Sequence, residues 1–271
     1  MKVLPQLIGS IHLLPLAGTP RACGHPHETL QKAGKQAIQE AKYLTQLGFE
    51  GIILENRGDV PFYKNQVPPE VVSSLAIIAA AVREVVSVPI GIHVLRNDAK
   101  AALAIAAVTG CDFIRVQVLM GVVATDQGLI EGQAVELLKE KQRLGLELPI
   151  LADVHVQHAV TLSSLDIGLA IEELVERGLA DGVILTSKSS AHEFKKNVLV
   201  HAAQTAKNKN TPLYLEDGFK SNDYFLEVYP WVHGVILSSQ LRKNAQPGAS
   251  LETRRAQQWV YQWKSVIKKR K

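Results

Sequence analysis

Strand-like and helix-like runs alternate eight times along this chain, and that alternation limits the possible folds more than any other feature of the sequence. The strands read as Gln6 to His12, Gly51 to Glu55, Pro89 to Val94, Phe113 to Gln117, Ile150 to His155, Gly182 to Thr186, Leu213 to Glu216 and Gly234 to Leu237, rich in the β-branched residues that suit buried strands. Helical periodicity follows each, over Thr29 to Leu47, Glu70 to Val86, Ala99 to Thr109, Gln133 to Leu144, Leu165 to Arg177, Lys195 to Lys207, Asp223 to Tyr229 and Leu251 to Ile267. Strict βα alternation implies a parallel sheet with crossover helices, and eight units predict an α/β fold closed into a (β/α)8 TIM barrel. An open doubly wound sheet is the alternative, but the first βα turn lacks the GxGxxG that would cradle a pyrophosphate. The 271 residues fit a single barrel domain with a short basic tail at 268 to 271.

Loop lengths orient the barrel. The connections after strands one, two and four are long (Leu13 to Glu28, Asn56 to Pro69, Leu119 to Gly132), whereas the helix-to-strand returns are short and carry Gly48, Gly110 and Gly178. All elaboration therefore lies on the C-terminal rim, where barrel enzymes keep their sites.

Successive strand residues point to opposite faces, so the polar residues can be assigned to the interior. Ser10 and His12 share a face of the first strand, Glu55 ends the second, His93 lies opposite Ile92 and Val94, Arg115 and Gln117 lie on the fourth strand, and Asp153 and His155 on the fifth. A lone His12 or His93 is more often a satisfied core histidine than a catalyst. Five neighbouring strands that all supply polar groups point instead to a polar cavity. Burying Glu55, Arg115 and Asp153 unpaired costs several kcal/mol each, on the order of a buried charge without a partner. The expectation is one mutually paired cluster of the three, with an interior ion pair and ligand binding as the two readings of Arg115. Just past the strand ends come Asn56, Asp59, Arg96, Asn97, Asp98 and Asp126. Asp98 reads as the N-cap of the helix starting at Ala99. Asp59, before Val60 and Pro61, and Asp126, with Gln127 before Gly128, read as turn formers or as site residues. Arg96 and Asn97 have no evident local task.

Much chemistry is excluded. A metal hydrolase of the HxH type needs two histidines on strand one, where this chain has Ser10, Ile11, His12; His155 and His158 lack the glutamate of HExxH. No built metal site is expected, although binding by His12, Glu55, Asp153 and His155 stays open, the sequence leaves the cofactor undetermined, and neither GxSxG nor a P-loop occurs. What remains is acid–base or electrostatic chemistry by Glu55, Asp153 and His12. Arg96, Arg115, Asn56, Asp59, Asn97, Gln117, Asp126, His155, Ser238 and Ser239 are then placed to hold a small polar, anionic or sugar-like ligand. A carboxylate pair can also stabilise an oxocarbenium-like centre.

Composition bears on compartment and partners. Two cysteines make no disulfide framework, Met1 to Pro5 leaves no room for an export signal, and no apolar run is long enough to span a bilayer, so a cytoplasmic protein is expected. The net charge of +4 resides largely in Lys268, Lys269, Arg270 and Lys271, a solvated basic end rather than a nucleic-acid footprint. Trp259, Trp263 and Val266 recur at helical spacing in the last helix. Trp259 or Trp263, or both, are expected to pack on strands one and eight with 268 to 271 solvated; a membrane-surface helix is the alternative.

The segments IHLLPLAGTP (Ile11 to Pro20), ENRGDVPF (Glu55 to Phe62), VLRNDAKAALAIAA (Val94 to Ala107), FIRVQVLMGVVATDQGLIEG (Phe113 to Gly132) and LADVHVQHA (Leu151 to Ala159) closely resemble the BtpA family, also called BtpA/SgcQ or the photosystem I biogenesis protein family. The resemblance implies a TIM barrel similar to the ribulose-phosphate-binding barrels. It also implies a part in photosystem I accumulation at the thylakoid, with photosystem I or its assembly machinery as partner and peripheral membrane contact, or, as in other members, a nucleosidase-like enzyme on a nucleoside or phosphorylated sugar. The chain departs from that pattern at His93 and Gln117, where asparagine is implied, and at Ser187 to Ser190, where a TG-containing loop is implied. It departs again at Glu216, Asp217 and Gly218, in place of a GSG-like turn; a carboxylate there would repel phosphate. These departures point to a diverged member.

Overall fold

The structure is a computed structural model that describes residues 4–156, 158–162, 165–186, 194–218 and 222–270. Eight parallel strands close into a barrel. They are β1 (Leu7–His12), β2 (Gly51–Glu55), β3 (Ile90–His93), β4 (Phe113–Val116), β5 (Ile150–His155), β6 (Gly182–Thr186), β7 (Leu213–Glu216) and β8 (Gly234–Leu237). The strand β1 pairs in parallel with both β2 and β8, which closes the ring and removes the sheet edges. The expected TIM barrel is the observed fold.

The surrounding helices are α1 (Pro26–Leu47), α2 (Pro69–Arg83), α3 (Ala99–Thr109), α4 (Ala134–Arg143), α5 (Ile167–Glu172), α6 (Lys196–Asn208), α7 (Asn222–Val228) and α8 (Thr253–Arg270). Local chemistry sets their ends. Asp98 caps α3 as expected, its Oδ1 accepting from the Ala101 amide at 2.9 Å. α1 begins with Pro26 in its first turn and stops at Gly48, whose φ of 110° a side chain would resist. The fifth helix starts later than the sequence indicates, at the Asp166 cap, and finishes in a π-helical turn over Glu173–Arg177.

The barrel interior has two levels. Ile8, Ile53, Phe113, Leu151, Ile184, Tyr214 and Ile236 form a fully buried apolar floor. Strand three contributes Gly91 to this level, because a Cβ there would lie 2.2 Å from the Phe113 ring. Two residues further along each strand the lining turns polar: Ser10, Glu55, His93, Arg115, Asp153, Thr186, Glu216 and Ser238 are all buried. The apolar core between strands and helices is separate from this floor.

The long connections lie on one rim, as expected. The Leu16 amide donates to Asp59 Oδ1 at 2.7 Å and the Gly58 amide to the Leu13 carbonyl at 3.0 Å, tying the first two loops together. The segment Leu119 to Gly132 is not simply a polar loop. Val122–Thr125 and Gly128–Glu131 form an antiparallel hairpin around Asp126 and Gln127, and Ala159–Thr161 adds a third strand. Val118, Val123 and Ile130 pack beneath it with Val156 and Ala159, a small core that the sequence reading does not anticipate.

Candidate functional site

Strand register places His12 beside Glu55, Glu55 beside His93, and His93 beside Arg115. From this row two polar clusters form. In the first, Glu55 Oε1 lies 2.8 Å from His12 Nε2 and Oε2 lies 3.0 Å from His93 Nδ1. The Gly248 amide donates to His12 Nδ1 at 3.0 Å, so the His12 proton is on Nε2, toward Glu55 and the Ser238 hydroxyl at 2.8 Å. Burial opposes ionisation of Glu55, but the two imidazoles outweigh it and hold the carboxyl well below 4.5. Burial also lowers both histidines, against the pull of Glu55, so each is neutral at pH 7. With its Nδ1 proton donated to Glu55, His93 keeps a bare Nε2; that atom is buried without a hydrogen-bond partner among the described residues.

The second cluster surrounds Arg115. Its Nη2 donates to Asp153 Oδ1 at 2.9 Å and its Nε to Oδ2 at 3.3 Å, while Nη1 and Nη2 reach Glu216 Oε1 and Oε2 at 2.6 and 2.5 Å. The Thr186 hydroxyl lies 3.0 Å from Asp153 and 3.2 Å from Glu216. One guanidinium serves two carboxylates, and burial pushes Asp153 up to about 7 even though Arg115 pulls it down. The expected cluster of Glu55, Arg115 and Asp153 is therefore corrected in one member: Arg115 pairs with Asp153 as expected, but its second carboxylate is Glu216, and Glu55 pairs with the two histidines instead.

A recess of about 20 Å³ opens between the two clusters, against His93, Arg115, Gln117, Glu216 and the Ser238–Ser239 turn. That is room for one water. A second cavity of about 100 Å³ lies between α5 and the loop after β4, lined by apolar residues together with Gln117, Asp153, Thr161 and Glu173. Gln117 lines both cavities, is 6% exposed, and its Oε1 has no hydrogen-bond partner among the described residues.

Several other expected site residues serve the rim instead. Asn56 Oδ1 accepts from the Leu95 amide at 2.7 Å and its Nδ2 donates to Asp59 Oδ2 at 2.9 Å. Asn97 donates to the Val118 carbonyl at 3.0 Å and accepts from its amide at 2.9 Å. Both carboxylate oxygens of Asp59 and both amide atoms of Asn97 are thus engaged within the protein. Arg96 is buried near Asp126 and donates to the His158 carbonyl at 3.4 Å. Asp126 is exposed in the hairpin turn and lines neither cavity. The side chain of His155 and the loop residues 187 to 190 lie outside the described residues. The sequence reading misses Thr186 as a site residue and Glu216 as the partner of Arg115, although each stands two positions after an interior residue, Ile184 and Tyr214. Among the described residues no group of three His, Cys, Asp or Glu is arranged to hold a metal.

The fold and the polar layer at the C-terminal end of its strands define the class: a (β/α)8 barrel with a buried, titratable mouth. N-(5'-phosphoribosyl)anthranilate isomerase from Pyrococcus furiosus superposes with a TM-score of 0.56 over 96% of this chain and 100% of that one, at 14% identity, a likeness of fold alone. The chain belongs to the BtpA family, whose profile matches residues 4–265. It is 40% identical over 254 residues to the photosystem I biogenesis protein BtpA of Synechocystis, covering 94% of this chain and 86% of the relative. It is 39% identical over 250 residues to an uncharacterized protein of Pyrococcus furiosus, covering 92% and 91%. Among the described residues no helix is long and apolar enough to cross a membrane.

Proposed function

We propose that this chain is an acid–base enzyme acting on a small polyhydroxylated ligand, of the sugar or nucleoside class, at the C-terminal mouth of the barrel. The observation that carries this reading is the bare, buried Nε2 of His93, oriented from behind by Glu55 and lining a recess the size of one water. A neutral imidazole so placed is a general base: it takes the proton of a water or hydroxyl in the recess. Asp153, raised to about 7, lines the adjoining cavity and is the complementary acid, returning a proton to the departing group. Glu55 acts through His93 and is a positioning residue.

The test is release of reducing sugar from a panel of nucleosides and simple glycosides, with wild type and His93→Gln compared at equal folded content. General acid–base groups are worth about 10² to 10⁴ in rate. A loss in that range is expected; unchanged turnover by a folded His93→Gln would remove the proposal.

The Synechocystis relative favours a second reading, a photosystem I biogenesis factor whose barrel binds a ligand. Against it as the shared biochemical role stands the Pyrococcus furiosus relative, at nearly equal identity, from a non-photosynthetic archaeon. Complementation of a Synechocystis strain lacking its own BtpA separates the two. If both wild type and His93→Gln restore photosystem I, the family role there is independent of the His93 chemistry.

A further inference from the structure

In barrels that bind phosphate, the group commonly sits between the loops after the seventh and eighth strands, on the backbone amides opening a short extra helix. This chain has the corresponding parts. After β8, Ser239–Leu241 forms a short 3-10 turn. The amides that face the mouth there are already engaged: Ser238 donates to Asp217 Oδ1 at 2.9 Å, Ser239 to Asp217 Oδ2 at 2.8 Å, and Gln240 to Oδ1 at 3.4 Å. Asp217 follows β7 directly, has a φ of 50°, and is buried. That left-handed backbone, uncommon without glycine, turns the carboxyl under the neighbouring loop. Its two oxygens accept from all three amides that open the turn.

The charge of the recess agrees. Its lining carries Glu55, Glu216 and Asp217, the last pushed up to about 7 by burial and the neighbouring Glu216, against Arg57 and Arg115, and both edges of the Arg115 guanidinium are already directed at Asp153 and Glu216. Of the fully buried atoms lining the recess, His93 Nε2 and Gln117 Oε1 have no hydrogen-bond partner among the described residues, and both are acceptors; the Arg57 guanidinium lines the same recess. Acceptors aimed into a recess call for hydroxyl or ammonium donors and oppose a phosphate dianion.

We propose that Asp217 is a built-in occupant of the barrel's anion nest, and that the site selects ligands without a phosphate: neutral polyols or their amino-substituted, cationic counterparts. This rests on the proposed ligand site at the mouth and names its ligand class. Asp217 is then a specificity-determining residue, and its removal converts the chain toward the phosphate binding of its structural neighbours.

The experiment compares wild type, Asp217→Gly and Asp217→Asn by thermal shift and by calorimetric titration with inorganic phosphate, ribose and ribose 5-phosphate. Glycine suits the positive φ and frees the three amides; asparagine keeps the nest sterically filled. Expected are no phosphate response in wild type, a dose-dependent rise in Tm and at least a tenfold gain in phosphate affinity for Asp217→Gly, and little gain for Asp217→Asn. Tighter binding of ribose 5-phosphate than of ribose by wild type overturns the proposal, and that measurement needs no variant to fold. Absence of any phosphate gain in a folded Asp217→Gly overturns it equally. If the gain appears while no form binds ribose, the nest assignment stands and the proposed sugar or nucleoside ligand falls.

Discussion

Arg115 donates to two carboxylates at once, and both partners are buried with it. A buried ion pair contributes little net stability when whole, because desolvation offsets attraction, but removing one side leaves uncompensated charge in a low-dielectric interior. Arg115→Met is therefore expected to destabilise the fold by about 3 to 5 kcal/mol, read from urea denaturation. An unchanged midpoint would mean that the pairing is not needed for stability. A second buried pair, Arg242 with Glu40 at 2.7 Å, joins the loop after β8 to α1, and Arg242 also donates to the Ser10 carbonyl at 2.6 Å. Arg242→Met is expected to cost a similar amount, again about 3 to 5 kcal/mol, while leaving the His93 environment as it is.

The aromatic side of α8 illustrates the scale of the element. Trp259 and Trp263 are buried, 9% and 2% exposed, as the helical spacing indicates. Both belong to the core cluster that also holds Leu7 and Ile11 of β1 and Val235 and Leu237 of β8, and their ring contacts lie with α7 and the turn after it. Trp263 meets Tyr229 edge to face at 5.1 Å, Trp259 meets Phe225 at 5.5 Å, and the Trp263 indole N–H donates to Glu50 at 3.2 Å. The tryptophans thus bind the last helix to α7 and to the turn after it. Aromatic pairs of this geometry add to the burial of a large side chain, so Trp263→Ala should cost about 3 to 5 kcal/mol. The same packing leaves neither ring for a membrane interface. Sedimentation with anionic liposomes should show binding that salt abolishes; salt-resistant binding lost with both tryptophans would contradict the packing. The side chains of 268 to 271 lie outside the described residues, so their expected solvation belongs to that experiment.

At the scale of the whole molecule the polar mouth should set the pH response. Asp153 is raised from 3.8 to about 7, so the fold favours its protonated form. That contribution is complete below 3.8 and is lost as pH rises through about 7. His12 and His93 are lowered from 6.5, so what the fold gains by keeping them neutral is present above 6.5 and is lost as pH falls through their folded values. Glu55, held below 4.5, adds stability above 4.5 that is lost in stronger acid. Asp153→Asn has no acid to ionise at that position. Its stability relative to wild type should rise as pH increases from 3.8 to about 7 and level off above that, measured as the difference in denaturation midpoints. A difference that stays constant across that range would show Asp153 ionised throughout.

The sequence by itself determined the eightfold alternation, the rim that carries the loops, and the interior face of each strand, because side-chain alternation and helix capping are local properties of the chain. That is why Asp98 could be read as a cap, and why His12, Glu55, His93, Arg115 and Asp153 could be assigned to the mouth. Tertiary structure alone decided which of them meet. Arg115 and Glu216 are 101 residues apart, and only closure of the ring sets them opposite one another. The same holds for Asp217 beneath the amides of Ser238 and Ser239, since two loops meet there whose approach depends on the stagger of β7 and β8. The hairpin over Val122–Glu131 was hidden for a related reason: its third strand comes from Ala159–Thr161, beyond the next barrel strand. Alternation tells which way a side chain points, but the partner across a barrel is fixed by closure and shear, and these are properties of all eight strands together.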